Sequence, residues 1–176
     1  MITKEQLKSS MPHATSANID KFLEPLNLSM QQYDINNNNR VAAFIAQICH
    51  ESGSLQYVKE LASGEAYEGR KDLGNIIAGD GIKFKGRGLI QITGRNNYHL
   101  VGLALNYDFI NNPEKLELPG AASMSAGWFW NLHNLNELAD LATNESFRQI
   151  TRKINGGYNG LDDRIKNWEL AKKALS

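Results

Sequence analysis

The sequence predicts a mainly α-helical single domain, and three observations carry that reading. Apolar residues recur at spacings of three and four through most of the chain, helix-start residues such as Thr3, Ser16 and Asn144 precede these runs, and Leu89–Thr93 alone alternates like a strand. At 176 residues the chain fits one domain with a sizeable core. Hydrophobic residues make up 41% and charged residues 22%, as in ordinary globular proteins. Lys plus Arg and Asp plus Glu each number 19, with no long run of one sign, so no nucleic-acid partner is expected. No apolar run approaches a membrane span, and no stable membrane insertion is expected.

Taken in order, Thr3 and Gln6 form a capping box that starts a short helix ending near Met11 and Pro12. Ser16 is the expected cap of a second helix carrying Ile19, Phe22, Leu23 and Leu26, with Pro25 as its kink or end. The polar run Asn36 to Asn39 reads as loop and cap for the helix that organises the chain, Val41 to Ser54. On that helix Val41, Phe44, Ile45, Ile48 and Ser52 share one face, and Glu51 projects from its edge near the end that Gly53 would cap. Partial desolvation there raises a carboxyl pKa, the property a general acid needs, although a Glu in a last helical turn also serves as a plain solvated charge. Cys49, the single cysteine, falls within the apolar helix and reads as a small core residue.

Leu55 to Asp80 mixes charges with glycines and lacks a sustained period, so it is expected to be largely irregular, with Tyr57, Leu61, Tyr67 and Leu73 holding it down. The next segment is Phe84 to Tyr98. Leu89, Gln91 and Thr93 would lie on one side of its strand and Ile90 and Ile92 on the other, among glycines 86, 88 and 94. The run fits either a plain hairpin or the wall of a ligand groove, and it matches neither a phosphate loop nor a dinucleotide fingerprint. A helix from Asn97 and Tyr98 through Leu105 is expected next, then a core helix from Ala121 to Leu132 with Met124, Trp128 and Phe129 buried. Asn144 is the expected cap of a helix through Phe147, Ile150 and Ile154 that stops at Asn155-Gly156-Gly157, where Asn155 could be only a C-cap. Leu161 starts the last helix. Histidines 13, 50, 99 and 133 are dispersed with no HExxH spacing, so no metal and no cofactor is expected.

Several separated motifs then stand in one order: Ala46-Gln47, His50-Glu51-Ser52-Gly53, Gly86-Arg87-Gly88-Leu89-Ile90-Gln91-Ile92-Thr93-Gly94, Ile154-Asn155-Gly156-Gly157 and Asp163-Arg164. Together they resemble glycoside hydrolase family 19, the chitinase-like family, and more closely its phage and prophage endolysin branch. The resemblance runs from about residue 40 to 170. It implies one lysozyme-like helical catalytic domain over residues 1–176, with residues 1–40 as its N-terminal helical part and 41–176 as its core. It further implies two lobes, a cleft between them and a small β-hairpin on one wall.

Catalysis in that family uses two carboxylates and inverts the anomeric carbon. Glu51 would protonate the glycosidic oxygen and Glu60 would deprotonate the attacking water, which requires carboxyl groups about 6.5–9.5 Å apart. Glu68 is the alternative base, with an ion pair to Arg70 or Arg87 as its structural explanation, and Glu65 is a third choice. Thr93 falls where chitinases of the family place a water-holding Ser. Gln91, Asn97 and Asn155 match sugar-binding positions, and Arg164 resembles the basic residue buried near the acid, which would oppose the desolvation of Glu51.

With one cysteine, short loops and no chitin-binding module, the chain departs from plant-type chitinases. The expectation is muramidase action on the β-1,4 bonds of peptidoglycan, with glycan strands as partner, by a monomer that lyses a host cell. No signal segment precedes the first helix, so the expected place of synthesis is the host cytoplasm, with holin-type release to the periplasm and wall. A chitinase, a lytic transglycosylase using Glu51 alone, an antibacterial effector and a non-catalytic glycan-binding module are the other readings.

Overall fold

A computed structural model describes residues 1–176, which form nine α-helices and three short 3-10 turns. The expected mainly helical class holds. Helix α1 (Lys4–Ser10) starts at the Thr3–Gln6 capping box. Helix α2 (Ser16–Gln32) is capped by Thr15, one residue earlier than expected, whose hydroxyl accepts from the Asn18 N–H. Pro25 does not end α2. Phe22, Leu26, Ser29 and Met30 are buried on both sides of it, and that burial outweighs the one helix hydrogen bond that proline removes.

Helix α3 (Asn38–Glu51) begins at an Asn37 cap and is buried from Val41 through Cys49. It lies at the centre of a core that also takes side chains from α1, α2, α6 (Pro119–Leu132), α7 (Leu135–Asp140), α8 (Asn144–Asn155) and α9 (Leu161–Leu175). Ile2, Leu7 and Met11 belong to this same core, so residues 1–40 pack as part of one body with the rest. Thr143 caps α8 together with Ser146, again one residue before the expected Asn144.

A second, smaller core gathers Phe84, Ile92, Tyr98, Val101, Phe109 and Leu116 around α5 (Arg95–Leu105), and Phe129 of α6 packs against both cores. These cores are the two lobes. Between α3 and α5 the chain is irregular, as expected, except for two 3-10 turns and the four-residue α4 (Asp80–Lys83).

The expected strand at Leu89–Thr93 is instead a turn. Antiparallel pairing is reduced to isolated bridges, Lys59 with Arg87 and Arg87 with Ile92. Gly88 takes a left-handed φ of 91°, which swings Leu89 and Ile90 together into the large core while Ile92 enters the small one. The segment staples the lobes together rather than forming a ribbon.

Candidate active site

Glu51 is the last residue of α3, and the turn from Ser52 to Leu55 fixes its direction. Ser52 donates its hydroxyl to the Ile48 carbonyl at 2.6 Å and accepts from the Leu55 N–H at 2.8 Å. Gly53, Ser54 and Leu55 all have left-handed φ values, 55°, 60° and 66°. Two non-glycine residues in this conformation cost roughly 1–2 kcal/mol each. Burial of Leu55 in the large core holds the turn in place.

The Glu51 side chain is 17% exposed and meets Arg164, which is 1% exposed. Arg164 donates to Glu51 Oε1 at 2.5 Å, to Gln47 Oε1 at 2.5 Å and to the Asn159 carbonyl at 3.1 Å. Gln47, one turn before Glu51, donates in turn to Thr151 Oγ1 at 2.9 Å. Helices α3, α8 and α9 therefore meet at one buried cation. Beside it, His50 Nδ1 lies 2.6 Å from Asp163 Oδ2. Glu51 Oε2 has no protein hydrogen-bond partner and is free to face a ligand.

Glu60 lies on the segment that pairs with Gly86 and Arg87. Its N–H donates to the Gly86 carbonyl at 2.9 Å and its Oε2 accepts the Gly86 N–H at 3.0 Å. Its Oε1 accepts the Tyr67 hydroxyl at 3.1 Å. Burial, and then the Glu60 carboxylate, push the Tyr67 hydroxyl above its usual range, so it stays a donor at neutral pH. Each Glu60 oxygen keeps a further lone pair. Gly86 leaves the room that the Gln91 side chain occupies, because a Cβ would displace Gln91 Oε1 and stand 3.1 Å from Glu60 Oε2.

The buried Arg87 donates to Glu117 at 2.8 Å and to the Tyr98 hydroxyl at 2.9 Å. Tyr98 donates its own proton to the Lys85 carbonyl and is structural.

Glu68 is committed elsewhere. Its two oxygens accept the N–H groups of Gly79 at 2.7 Å and Gly81 at 2.8 Å, closing the loop onto α4. The expected ion pair with Arg70 or Arg87 does not form, because Arg70 pairs with Asp72 and Arg87 with Glu117. Glu65 is exposed at the first 3-10 turn.

Gln91, Thr93 and Asn97 come together in a cavity of about 130 Å³ that Trp128, Phe129 and His133 complete. Asn97 donates to the Thr93 carbonyl at 2.8 Å, and the Thr93 hydroxyl makes only a long contact, 3.4 Å, to the Gln91 carbonyl. Neither Glu51, Glu60 nor Asn155 lines this cavity. Asn155 ends α8 and accepts the Asn159 N–H at 3.3 Å, shaping the loop whose carbonyl receives Arg164. Trp128 and Phe129, expected in the core, are only half-buried, and Trp130 takes the fully buried place. Tyr67, Gln47 and His50 also belong to the site region. Gln47 and His50 stood in the motifs that carry the family resemblance, and Tyr67 stood out only as an anchor of its loop.

The model of the family described as "Chitinase class I" matches residues 27–142. A Haemophilus influenzae protein named "Glycosyl hydrolase family 19 domain-containing protein" is 30% identical over 94% of this chain and 93% of its own length. The acidic endochitinase SP2 of Beta vulgaris is 34% identical over 68% of this chain, which spans only 41% of that enzyme's length. Among solved structures, chitinase C from Streptomyces griseus superimposes with a TM-score of 0.79 at 23% identity, covering 99% of this chain and 92% of that one. A class IV chitinase from Zea mays gives 0.75 at 22%, with the same coverage of both chains. The chain belongs to glycoside hydrolase family 19 and is a chitinase-like glycoside hydrolase.

Proposed function

We propose that this protein is an endolysin that hydrolyses the β-1,4 bonds of bacterial peptidoglycan with inversion, Glu51 acting as general acid and Glu60 as general base. The observation that carries the pairing is what holds each carboxylate. Glu51 keeps Oε2 free while Arg164 fixes Oε1, and Glu60 is steadied by Tyr67 and Gly86 beside Gln91. Glu60 and Glu68 each accept on both oxygens, and what favours Glu60 as the base is its surroundings: its oxygens meet Tyr67 and Gly86 beside Gln91, whereas those of Glu68 meet the Gly79 and Gly81 N–H groups that close a loop onto α4.

In this reading Glu51 Oε2 carries the proton to the leaving oxygen. A water near Glu60 loses its proton as it attacks the opposite face of the sugar. Thr93, Gln91, Asn97 and Asn155 orient water and the sugar's hydroxyl and acetamide groups, and Arg164 stabilises the carboxylate that Glu51 becomes.

The one buried, free cysteine sets the chain apart from disulfide-rich plant-type enzymes and supports peptidoglycan, whereas the end-to-end matches, to a bacterial family 19 protein and to the Streptomyces chitinase fold, fit either substrate. The names of the plant relatives favour a second reading, chitin hydrolysis. Zymography separates the two: clearing of purified sacculi supports the first, and clearing of colloidal chitin alone overturns it. The protein would act as a monomer on the wall, reaching it from the cytoplasm through a holin-type pore. Delivery into a rival cell is the other route, and no helix is long and apolar enough to cross a membrane.

A further inference from the structure

Helix α8 buries Phe147, Ile150 and Thr151 and turns Glu145, Arg148, Gln149, Arg152 and Lys153 outward. This outer face carries three cations and one acid. Arg148 is loosely paired with Glu145 at 3.9 Å and stacks 4.9 Å above the centre of the Tyr158 ring. Lys153 donates to the His133 carbonyl at 3.0 Å. Arg152 makes no ion pair and no side-chain hydrogen bond. Cations at a helix C-terminus complement the macrodipole, and that accounts for their sign. It does not account for the open depression of about 490 Å³ that Arg152 and Lys153 share with Glu145, Gln149 and Tyr158, the last 43% exposed; Glu145 is its one acid and faces Arg148.

The depression is tied to the candidate site through two contacts. Lys153 on its rim donates to the carbonyl of His133, which lines the cavity of Gln91, Thr93 and Asn97. In the second, the Arg152 carbonyl accepts the Gly156 N–H, and the loop that begins there carries the Asn159 carbonyl bonded to Arg164. These two ties are what would let a bulky substituent on a glycan strand reach α8.

We propose that this depression is a second site, binding the carboxylates of an acidic peptide carried by the glycan strand. Arg152 takes a carboxylate through its guanidinium fork, Lys153 adds the second charge, and Tyr158 packs on the peptide backbone. The inference rests on the peptidoglycan reading, since chitin has no such peptide. It gives that reading a physical basis for substrate choice.

The first arm of the test measures KM and kcat on soluble peptide-bearing glycan strands and on the same strands stripped of peptide by an amidase. The proteins are wild type, Arg152→Ala, Arg152→Lys and Arg152→Glu, each with thermal unfolding checked. Arg152→Ala should raise KM about three- to tenfold on peptide-bearing strands with kcat unchanged, and leave stripped strands unaffected. Arg152→Lys should fall between, Arg152→Glu should be worse, and added salt should shrink the differences. Equal KM changes on both substrates, or none on either, overturn the site.

The second arm does not depend on cleavage. Glu51→Gln protein is titrated with the soluble acidic stem tripeptide while backbone amide resonances are followed. Shifts confined to residues 145–158 and the adjoining His133 support the site, and their absence overturns it. The same shifts with inorganic phosphate at equal concentration overturn its assignment to a peptide. If wild type cuts no wall substrate yet these shifts appear, the hydrolysis reading falls and the binding site stands.

Discussion

The Arg164 guanidinium lies 2.5 Å from the Glu51 carboxylate with only 1% of the arginine side chain exposed. Its second terminal nitrogen is held by Gln47, so the acid is positioned through a cation that is itself fixed on two sides. Replacing Arg164 with Met should cost about 3 kcal/mol of stability, because Gln47 and Glu51 lose their shared partner in the interior. Arg164→Lys should keep the fold but lose at least one of the three contacts, lowering kcat while KM stays nearly constant. Chemical denaturation and initial rates check both. A stable, fully active Arg164→Lys would remove the positioning role.

Glu51→Gln retains an acceptor for Arg164 but has no proton to give. A loss of about 100- to 10,000-fold in kcat is expected, with about 1–3 kcal/mol of stability lost because the buried Arg164 keeps its hydrogen bond but loses its counter-charge. Glu60→Gln should lose activity comparably, since its amide can still bridge Gly86 and Tyr67. Tyr67→Phe should lower kcat by about tenfold or less by freeing one Glu60 oxygen. Turbidity loss of permeabilised Gram-negative cells reports all three, and an active Glu60→Gln would send the base role elsewhere.

Glu68→Gln separates the two loop carboxylates by phenotype. An amide offers one acceptor where Gly79 and Gly81 need two, so about 1 kcal/mol of stability should be lost while the turnover of folded protein is preserved. Loss of turnover without loss of stability would make Glu68 the base.

How far the sequence reached differs by element. Thr3 with Gln6, the Asn37 cap and the buried stripe of α3 could be read because a capping side chain or a helical period acts over a few residues. Helix α7 went unread: its six residues are too few to show a period. Leu89–Thr93 looked alternating, yet Gly88 permits a turn that strand periodicity does not encode, and burial in two separate cores selects it. Glu51 and Arg164 could be paired only through family resemblance, since nothing local links them. The commitment of Glu68 to Gly79 and Gly81 depended on a loop path that no pattern of residue types reveals.

Acid should loosen the loop between the lobes before it unfolds the core. Arg95 donates two hydrogen bonds to the buried Asp80, and this, with the Ile77 N–H, holds the Asp80 carboxyl below the usual range. A depressed pKa contributes stability that is complete above the unfolded value of about 4 and lost as pH falls through the folded value. Asp80→Asn should therefore melt below wild type at neutral pH, and the gap should close progressively as pH drops below about 4. Thermal melts across pH measure it, and a gap independent of pH would contradict the assignment.

Inversion predicts the α-anomer as first product from a β-1,4 bond, visible by proton NMR before mutarotation. The β-anomer would indicate retention. Anhydro-muramic ends would indicate a lytic transglycosylase with Glu51 working alone.

The bond between Glu51 and Arg164 closes a loop of 113 residues in the chain. Local helix formation can complete α3 early, but the setting of its terminal carboxylate waits for α9 to dock, a contact of high order that forms with the whole molecule. Catalytic competence is thus a global property: partly folded chains, however helical, cannot cut, and residual activity during unfolding should track the fraction of fully folded molecules.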